Sequence, residues 1–204
     1  MEAINVFEKV MDEEAEAIID VKNFISHNQE NYLQIVSRLL DLKGHLIFMG
    51  VGKSGHIGEK LAATFASTGT PSFFVHATEA MHGDLGMVTN HDLVILISNS
   101  GETKEALAPI KPIHRIGAEI IAMTKNPRSS LAQEADYLLE VPVVGEADQF
   151  DLAPTKSSTA VLATGDALAL TLSELKGFNE RNFAMFHPGG ALGQRLLKEG
   201  LLKE

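Results

Sequence analysis

Residues 92–117 read DLVILISNSGETKEALAPIKPIHRIG. Asp92–Ser98 reads as a strand: Leu93–Ile97 within it is an unbroken apolar run, too short for a helix, closed by Ser, Asn, Ser and Gly. A strand with no polar alternation is buried on both faces, as in a parallel sheet covered by helices. Gly101–Gly117 then reads as a helix, with Pro109 and Pro112 as irregularities inside it. The unit recurs outward in both directions. HLIFMG (His45–Gly50), PSFFVH (Pro71–His76), AEIIAMT (Ala118–Thr124) and DYLLEV (Asp136–Val141) read as further strands. Helices are expected over Gly55–Gly69, Ser129–Ala135 and Ser158–Lys176, and after Gly190. Residues 142–157 read as a polar connection. Five apolar strands alternating with helices predict an α/β fold, an open, mostly parallel sheet between two helical layers. Ligands of such sheets bind beyond the C-terminal strand ends, where the strand order reverses. The loops after Gly50, His76, Ser98, Thr124 and Val141 are therefore the places to look.

Ahead of this pattern, residues 2–28 form a long amphipathic helix by spacing, with Ile4, Phe7, Met11, Ala15, Ile18, Val21 and Ile25 on one stripe. That stripe needs a large partner surface, on its own domain or on another subunit. A second helix is expected over Asn31–Leu42, so that 1–43 forms a helical segment leading into one domain spanning 1–204. Near the other end, Asn179 is expected to cap a helix, with Phe178 and Phe183 as its hydrophobic staple.

Composition narrows the chemistry. The 204 residues are 45% hydrophobic and 22% charged, ordinary for a globular chain and unlike a disordered one. No cysteine is present, which excludes a thiol nucleophile, a disulfide framework and Cys-ligated metal. Seventeen basic against 27 acidic residues leave a net charge of −10, so neither nucleic acid nor an anionic membrane is an expected partner. The N-terminal MEAINVFEKVMDEEAEAI lacks the apolar core of a signal peptide, and no 18-residue apolar stretch occurs. A soluble, cytoplasmic protein is expected.

Two loops carry chemistry. Gly50-Val51-Gly52-Lys53-Ser54-Gly55 follows a strand and opens a helix, which points backbone N–H groups at an anion. A Walker A loop fails because Ile47 stands where its first glycine belongs. A dinucleotide fingerprint is met literally, but the strand that should end in a ribose-binding acid ends Phe74-Val75-His76. A compact phosphate-and-sugar site, with Gly52, Lys53 and Ser54 facing the ligand, remains alongside a plain glycine turn, which gives no reason for the lysine. Ser98-Asn99-Ser100-Gly101-Glu102-Thr103 offers three hydroxyls and successive amides at a helix start, an uncharged phosphate cradle. Simple capping by Ser100 would need one hydroxyl rather than three. No histidine or carboxylate spacing points to a metal, and no cofactor is expected.

SNSGET resembles the phosphate loop of SIS (sugar isomerase) domains. Together with GVGKSGHIGEKLAATFASTGTPSFFVH, EAMHGDLGMV, DLAPT and FHPGGALGQRLL, in order over residues 45–197, it is very similar to the arabinose-5-phosphate isomerase family. The resemblance implies a three-layer sandwich on a five-stranded parallel sheet, a homotetramer, and reversible conversion of D-arabinose 5-phosphate and D-ribulose 5-phosphate, the opening step toward the eight-carbon sugar acid Kdo. It implies functional roles for Lys53, Glu105, Glu146 and His187, with His82 in MHGD as a fifth candidate. It assigns phosphate contacts to Ser54, Ser98, Ser100 and Thr103, beside Asn99. Many members continue into a tandem CBS pair; this chain stops at Glu204, so regulation through that module is expected to be absent. Lys156 stands where the family has a small hydroxyl residue, and GEADQFD departs from the common pattern, which leaves the sugar open. A sugar-phosphate-binding regulatory module, or an isomerase of a hexulose or heptose phosphate, are the alternative readings.

Overall fold

The computed structural model describes residues 2–200. Five parallel strands form one sheet: β1 (Leu46–Gly50), β2 (Ser72–His76), β3 (Leu93–Ile97), β4 (Glu119–Thr124) and β5 (Tyr137–Glu140), in the order β2-β1-β3-β4-β5. Ten helices surround it among the described residues: α1 (Glu2–His27), α2 (Gln29–Leu40), α3 (Gly52–Ser67), α4 (Ala77–Ala80), α5 (Lys104–Leu107), α6 (Ile110–Ile116), α7 (Ser130–Glu134), α8 (Lys156–Leu175), α9 (Glu180–Phe186) and α10 (Ala191–Lys198). A single 3-10 turn, Asp84–Met87, follows α4.

The period of two along each strand divides the core. Phe48, Leu93, Ile95, Ile97 and Met123 meet Leu39 of α2, Leu61 and Phe65 of α3, and Leu168 and Leu172 of α8. Their neighbours Ile47, Met49, Val94, Leu96 and Ile120 meet Ala106, Ile110, Ile113 and Leu131 of α5 to α7. The sheet is thus buried on both sides, and its apolar runs follow from that. The strand order reverses between β1 and β3, so the loops leaving these two strands diverge and leave a crevice.

Three expectations need correction. The helix expected over Gly101–Gly117 is two helices, α5 and α6. Pro109 caps α6, and Pro112 sits in its first turn, where a missing N–H costs nothing. The helix after β1 begins at Gly52 rather than Gly55, because Gly52 adopts a left-handed φ of 55° and lets the chain turn early. Asn179 does cap α9 in a reciprocal capping box with Asn182. Phe178, however, stacks on Phe186 at 5.9 Å rather than on Phe183, whose ring lies on His187 at 3.8 Å.

The stripe on α1 divides in two. Val21 is buried and Ile25 packs against the α8 side of the core, together with Ala17, which the spacing left off the stripe, while Ala15 and Ile18 are exposed; Thr159 of α8 donates to Glu14 at 2.6 Å. Ile4, Phe7 and Met11, further toward the N-terminus, are 60, 65 and 61% exposed. No helix of the described residues is long and apolar enough to cross a membrane.

Candidate active site

A cleft of ≈ 210 Å³ opens at the switch point. One wall is Val51, Lys53, Ser54 and Ile57 at the start of α3, with Asn99 from the loop after β3. The other wall is the start of α8: Pro154, Ser157, Ser158 and Val161. Lys53 is exposed and supplies a cation to a surface otherwise made of hydroxyl, amide and aliphatic groups. The amino ends of α3 and α8 both meet this cleft, which suits an anionic or oxygen-rich ligand.

The loop after β3 is fastened from below. Ser98 is buried; its Oγ accepts the Gly101 N–H at 3.2 Å and lies 3.4 Å from Thr103 Oγ1. The Asn99 carbonyl accepts from Lys125 N and Thr124 Oγ1, both at 3.1 Å. Gly101 has φ 70°, and a Cβ there would overlap Ser129 Oγ. Glu102 reaches across to α7, where it accepts the Ser130 N–H and O–H, each at 2.8 Å. Those two bonds, the N–H first, hold its carboxyl below the usual glutamate range. Glu102 is therefore a strut between two loops.

Glu146 lies behind the opposite wall, bonded to its lining residue Ser157. Its Oε2 accepts N–H bonds from Thr155 at 2.9 Å and Ser157 at 3.1 Å, and the Thr155 hydroxyl at 3.3 Å. Its Oε1 accepts the Ser157 hydroxyl. The loop that carries it is pinned by Asp148, which accepts from Leu152 N at 2.8 Å and Ala153 N at 3.1 Å, and by Asp151, which accepts Glu146 N at 2.5 Å. The polar connection expected over 142–157 is thus a folded loop that seats a carboxylate at the end of α8.

Of the residues singled out in the sequence, the cleft gathers Lys53, Ser54 and Asn99, with Glu146 bonded to its lining residue Ser157. Gly52 begins α3 beside it. Ser98 lies under the loop, Ser100 accepts the Glu102 N–H at 3.2 Å, and Thr103 precedes α5 as its cap; none of the three lines the cleft. The helix after this loop starts at Lys104, so Ser100 is not its cap. Glu105, the second residue of α5, is exposed and outside the lining, as is His82 in the turn after α4. His187 is at the other pole of the sheet. Its neighbour Phe186 lines a pocket with His45, Gly69, Pro71 and Ser72, where β1 and β2 begin. A five-residue strand at about 3.3 Å per residue puts ~16 Å between the two poles. His187 Nδ1 lies 2.9 Å from the Phe183 carbonyl oxygen and donates to it. Ser157 and Thr155 were the residues overlooked. The DLAPT motif and the KSS after it carried the signal, but their contact with Glu146 spans nine and eleven residues.

The family model described as SIS domain matches residues 39–171. The chain belongs to the SIS domain family. It is 51% identical over 184 residues to the arabinose 5-phosphate isomerase KdsD of Escherichia coli (strain K12), covering 90% of this chain and 55% of that protein. The KdsD of Pseudomonas aeruginosa is 49% identical over 177 residues, 87% of this chain and 54% of the relative. The chain spans about half the length of these curated relatives. Among solved structures it is similar to E. coli CFT073 c3406 in complex with arabinose 5-phosphate, with a TM-score of 0.88 at 50% identity over 92% of this chain and 98% of that one. The Vibrio vulnificus NanR protein complexed with ManNAc-6P shares the SIS fold, with a TM-score of 0.72 at 17% identity over 97% of this chain and 73% of that one.

Proposed function

We propose that this chain is an aldose–ketose isomerase that interconverts D-arabinose 5-phosphate and D-ribulose 5-phosphate through a cis-enediol. The observation that carries the reading is the cleft itself: a lysine and the amino end of α3 on one side, and on the other the amino end of α8, whose lining residue Ser157 holds the Glu146 carboxylate. Relatives at about half identity bear the name of that activity, and the c3406 structure holds arabinose 5-phosphate.

The reaction moves one proton between C1 and C2 and one between the two oxygens. In the proposed assignment Glu146 takes the C2 proton of the aldose, giving the enediol, and returns it to C1. His187 moves the proton from the C2 oxygen to the C1 oxygen and assists ring opening. Lys53 and Glu105 orient the sugar and offset charge on the developing oxyanion. A donor in that position is worth about 3 kcal/mol in comparable sites. Ser54, Asn99 and the amides around Gly52 receive the phosphate, with Ser98, Ser100 and Thr103 shaping the neighbouring loop.

This assignment needs a second subunit. His187 lies at the pole remote from its own cleft, so a neighbouring copy must bring it, and the exposed Ile4, Phe7 and Met11 offer an apolar surface for assembly. A homotetramer in the cytoplasm supplying Kdo synthesis is the fuller form of the proposal. Glu146 being held by four protein bonds favours one second reading, a module that binds a sugar phosphate without turning it over.

Proton NMR of the protein with D-ribulose 5-phosphate in D2O separates the readings. Arabinose 5-phosphate is the expected product, carrying deuterium at C2 where the enediol exchanges with solvent. Line broadening of the sugar phosphate without product would overturn the isomerase and favour the binding module, and competing hexulose and heptose phosphates in the same assay test the choice of sugar.

A further inference from the structure

The four bonds to Glu146 are unevenly shared between its two oxygens. Oε2 takes three donors: the amides of Thr155 and Ser157 and the Thr155 hydroxyl. A carboxylate oxygen offers about two lone-pair positions, so Oε2 is fully occupied. Oε1 takes one donor, the Ser157 hydroxyl, and keeps a lone pair for a further partner. Ser157 is 2% exposed and also lines the cleft. Its amide and its hydroxyl go to different oxygens of the same carboxylate, which fixes both the position of Glu146 and the rotation of its plane. Thr155 is itself held, since its Oγ1 accepts the Ala147 N–H at 3.0 Å. The whole arrangement is tied to α8, a helix of 20 residues packed into the core.

We propose that Ser157 is a positioning residue that aims Glu146 Oε1 at the sugar, making Oε1 the oxygen that takes the carbon-bound proton. The inference rests on the reading that Glu146 is the proton shuttle, and adds which oxygen acts and what orients it. In the forward step the C2–H bond breaks, its proton passes to Oε1, its electron pair forms the C1=C2 bond of the enediol, and the π pair of the C1 carbonyl moves onto the C1 oxygen, which is protonated through His187. In the second step the C2 hydroxyl gives its proton to His187 as the C2 carbonyl forms, and the C1=C2 electron pair takes the Oε1 proton at C1. Ser157 keeps its own proton on Oγ throughout and donates it to Oε1 in the resting carboxylate. Oε2 stays on Thr155 and takes no part in transfer.

The test compares Ser157→Ala, Ser157→Thr and Thr155→Val in the full chain, using arabinose 5-phosphate with hydrogen or deuterium at C2. Ser157→Ala keeps the amide bond to Oε2 and removes only the aiming contact. A base displaced by a fraction of an ångström costs on the order of 10- to 100-fold, so kcat falls by that factor while KM stays within about twofold. The deuterium isotope effect on kcat rises, because proton abstraction becomes slower than the other steps. Ser157→Thr restores most of the rate. Thr155→Val lowers the melting temperature more than Ser157→Ala and leaves the isotope effect as in the unsubstituted chain. A loss of folded protein cannot produce the isotope effect or the rescue. Normal kcat in Ser157→Ala, or a fall with an unchanged isotope effect, overturns the positioning role. Glu146→Gln is the control that separates the two levels. If it is inactive while Ser157→Ala is normal, only the positioning inference fails. If it turns over normally, or if the unsubstituted chain does not isomerise, the shuttle reading falls and the inference with it.

Discussion

Glu102 and Glu146 each accept the N–H and the O–H of one serine at the start of a helix, Ser130 of α7 and Ser157 of α8. The chemistry of the contact is the same. The surroundings differ. Glu102 is exposed and joins two loops, and its serine does not line the cleft. Glu146 is half-buried, and its serine forms the cleft wall. A carboxylate at a helix amino end is favourable wherever it occurs, so the motif alone says nothing about catalysis. What separates a strut from a proposed reactive group is whether the serine that holds it lines the space where a ligand fits.

The largest expected contrast is between the two amide variants. Glu146→Gln removes the proposed proton shuttle and lowers turnover by roughly 10²- to 10⁴-fold, the range for a general base. Glu102→Gln is an exposed change and leaves kcat within about threefold. Equal losses in steady-state assays of the two would erase the distinction. Gly101→Ala strikes the strut side from the backbone. It forces a Cβ into a left-handed φ and against Ser129, and overpacking of this kind costs about 1–3 kcal/mol, read as a lower urea midpoint. Ser130→Ala, which keeps the amide bond and loses one hydroxyl, costs about 1 kcal/mol or less and raises KM for the sugar phosphate modestly while sparing kcat. The smallest effect is one of pH. The bonds from Ser130 depress the Glu102 carboxyl in the folded chain relative to 4.5 when unfolded. Its contribution is complete above 4.5 and is lost as pH falls through the lower folded value. Protection of the Ser130 amide from hydrogen exchange, taken relative to its intrinsic rate at each pH, therefore falls in acid in the parent chain and is insensitive to that step in Glu102→Gln.

The sheet was legible because burial on both faces leaves nothing polar in the strands: Leu93–Ile97 and Leu46–Gly50 announce themselves as apolar runs. The two loops at the switch point were legible for a related reason, since glycines and hydroxyls have no packing role at a strand end. The break between α5 and α6 was marked by Pro109 and Pro112, but two prolines three apart fit one kinked helix or two short ones, and packing of Ile110 and Ile113 decides. The capping of Glu146 was not legible. Two of its four donors are main-chain amides, which every sequence has, and all four are brought to it by a loop whose shape depends on Asp148 and Asp151. Ser98, Ser100 and Thr103 read as a ligand cradle and prove partly occupied with one another and with the loop's own amides. Nor could a linear pattern show that Phe178 passes over Phe183 to reach Phe186. That contact follows from Phe183 lying flat on the His187 ring.

The separation of His187 from its own cleft makes activity, on the proposed reading, a collective property governed by mass action. Dilution below the assembly constant would silence every subunit without unfolding any of them. Two dead variants, Lys53→Ala and His187→Ala, would regain turnover when unfolded and refolded as a mixture, because some clefts in the mixed assembly would receive both intact groups. Each alone would stay inactive at any concentration.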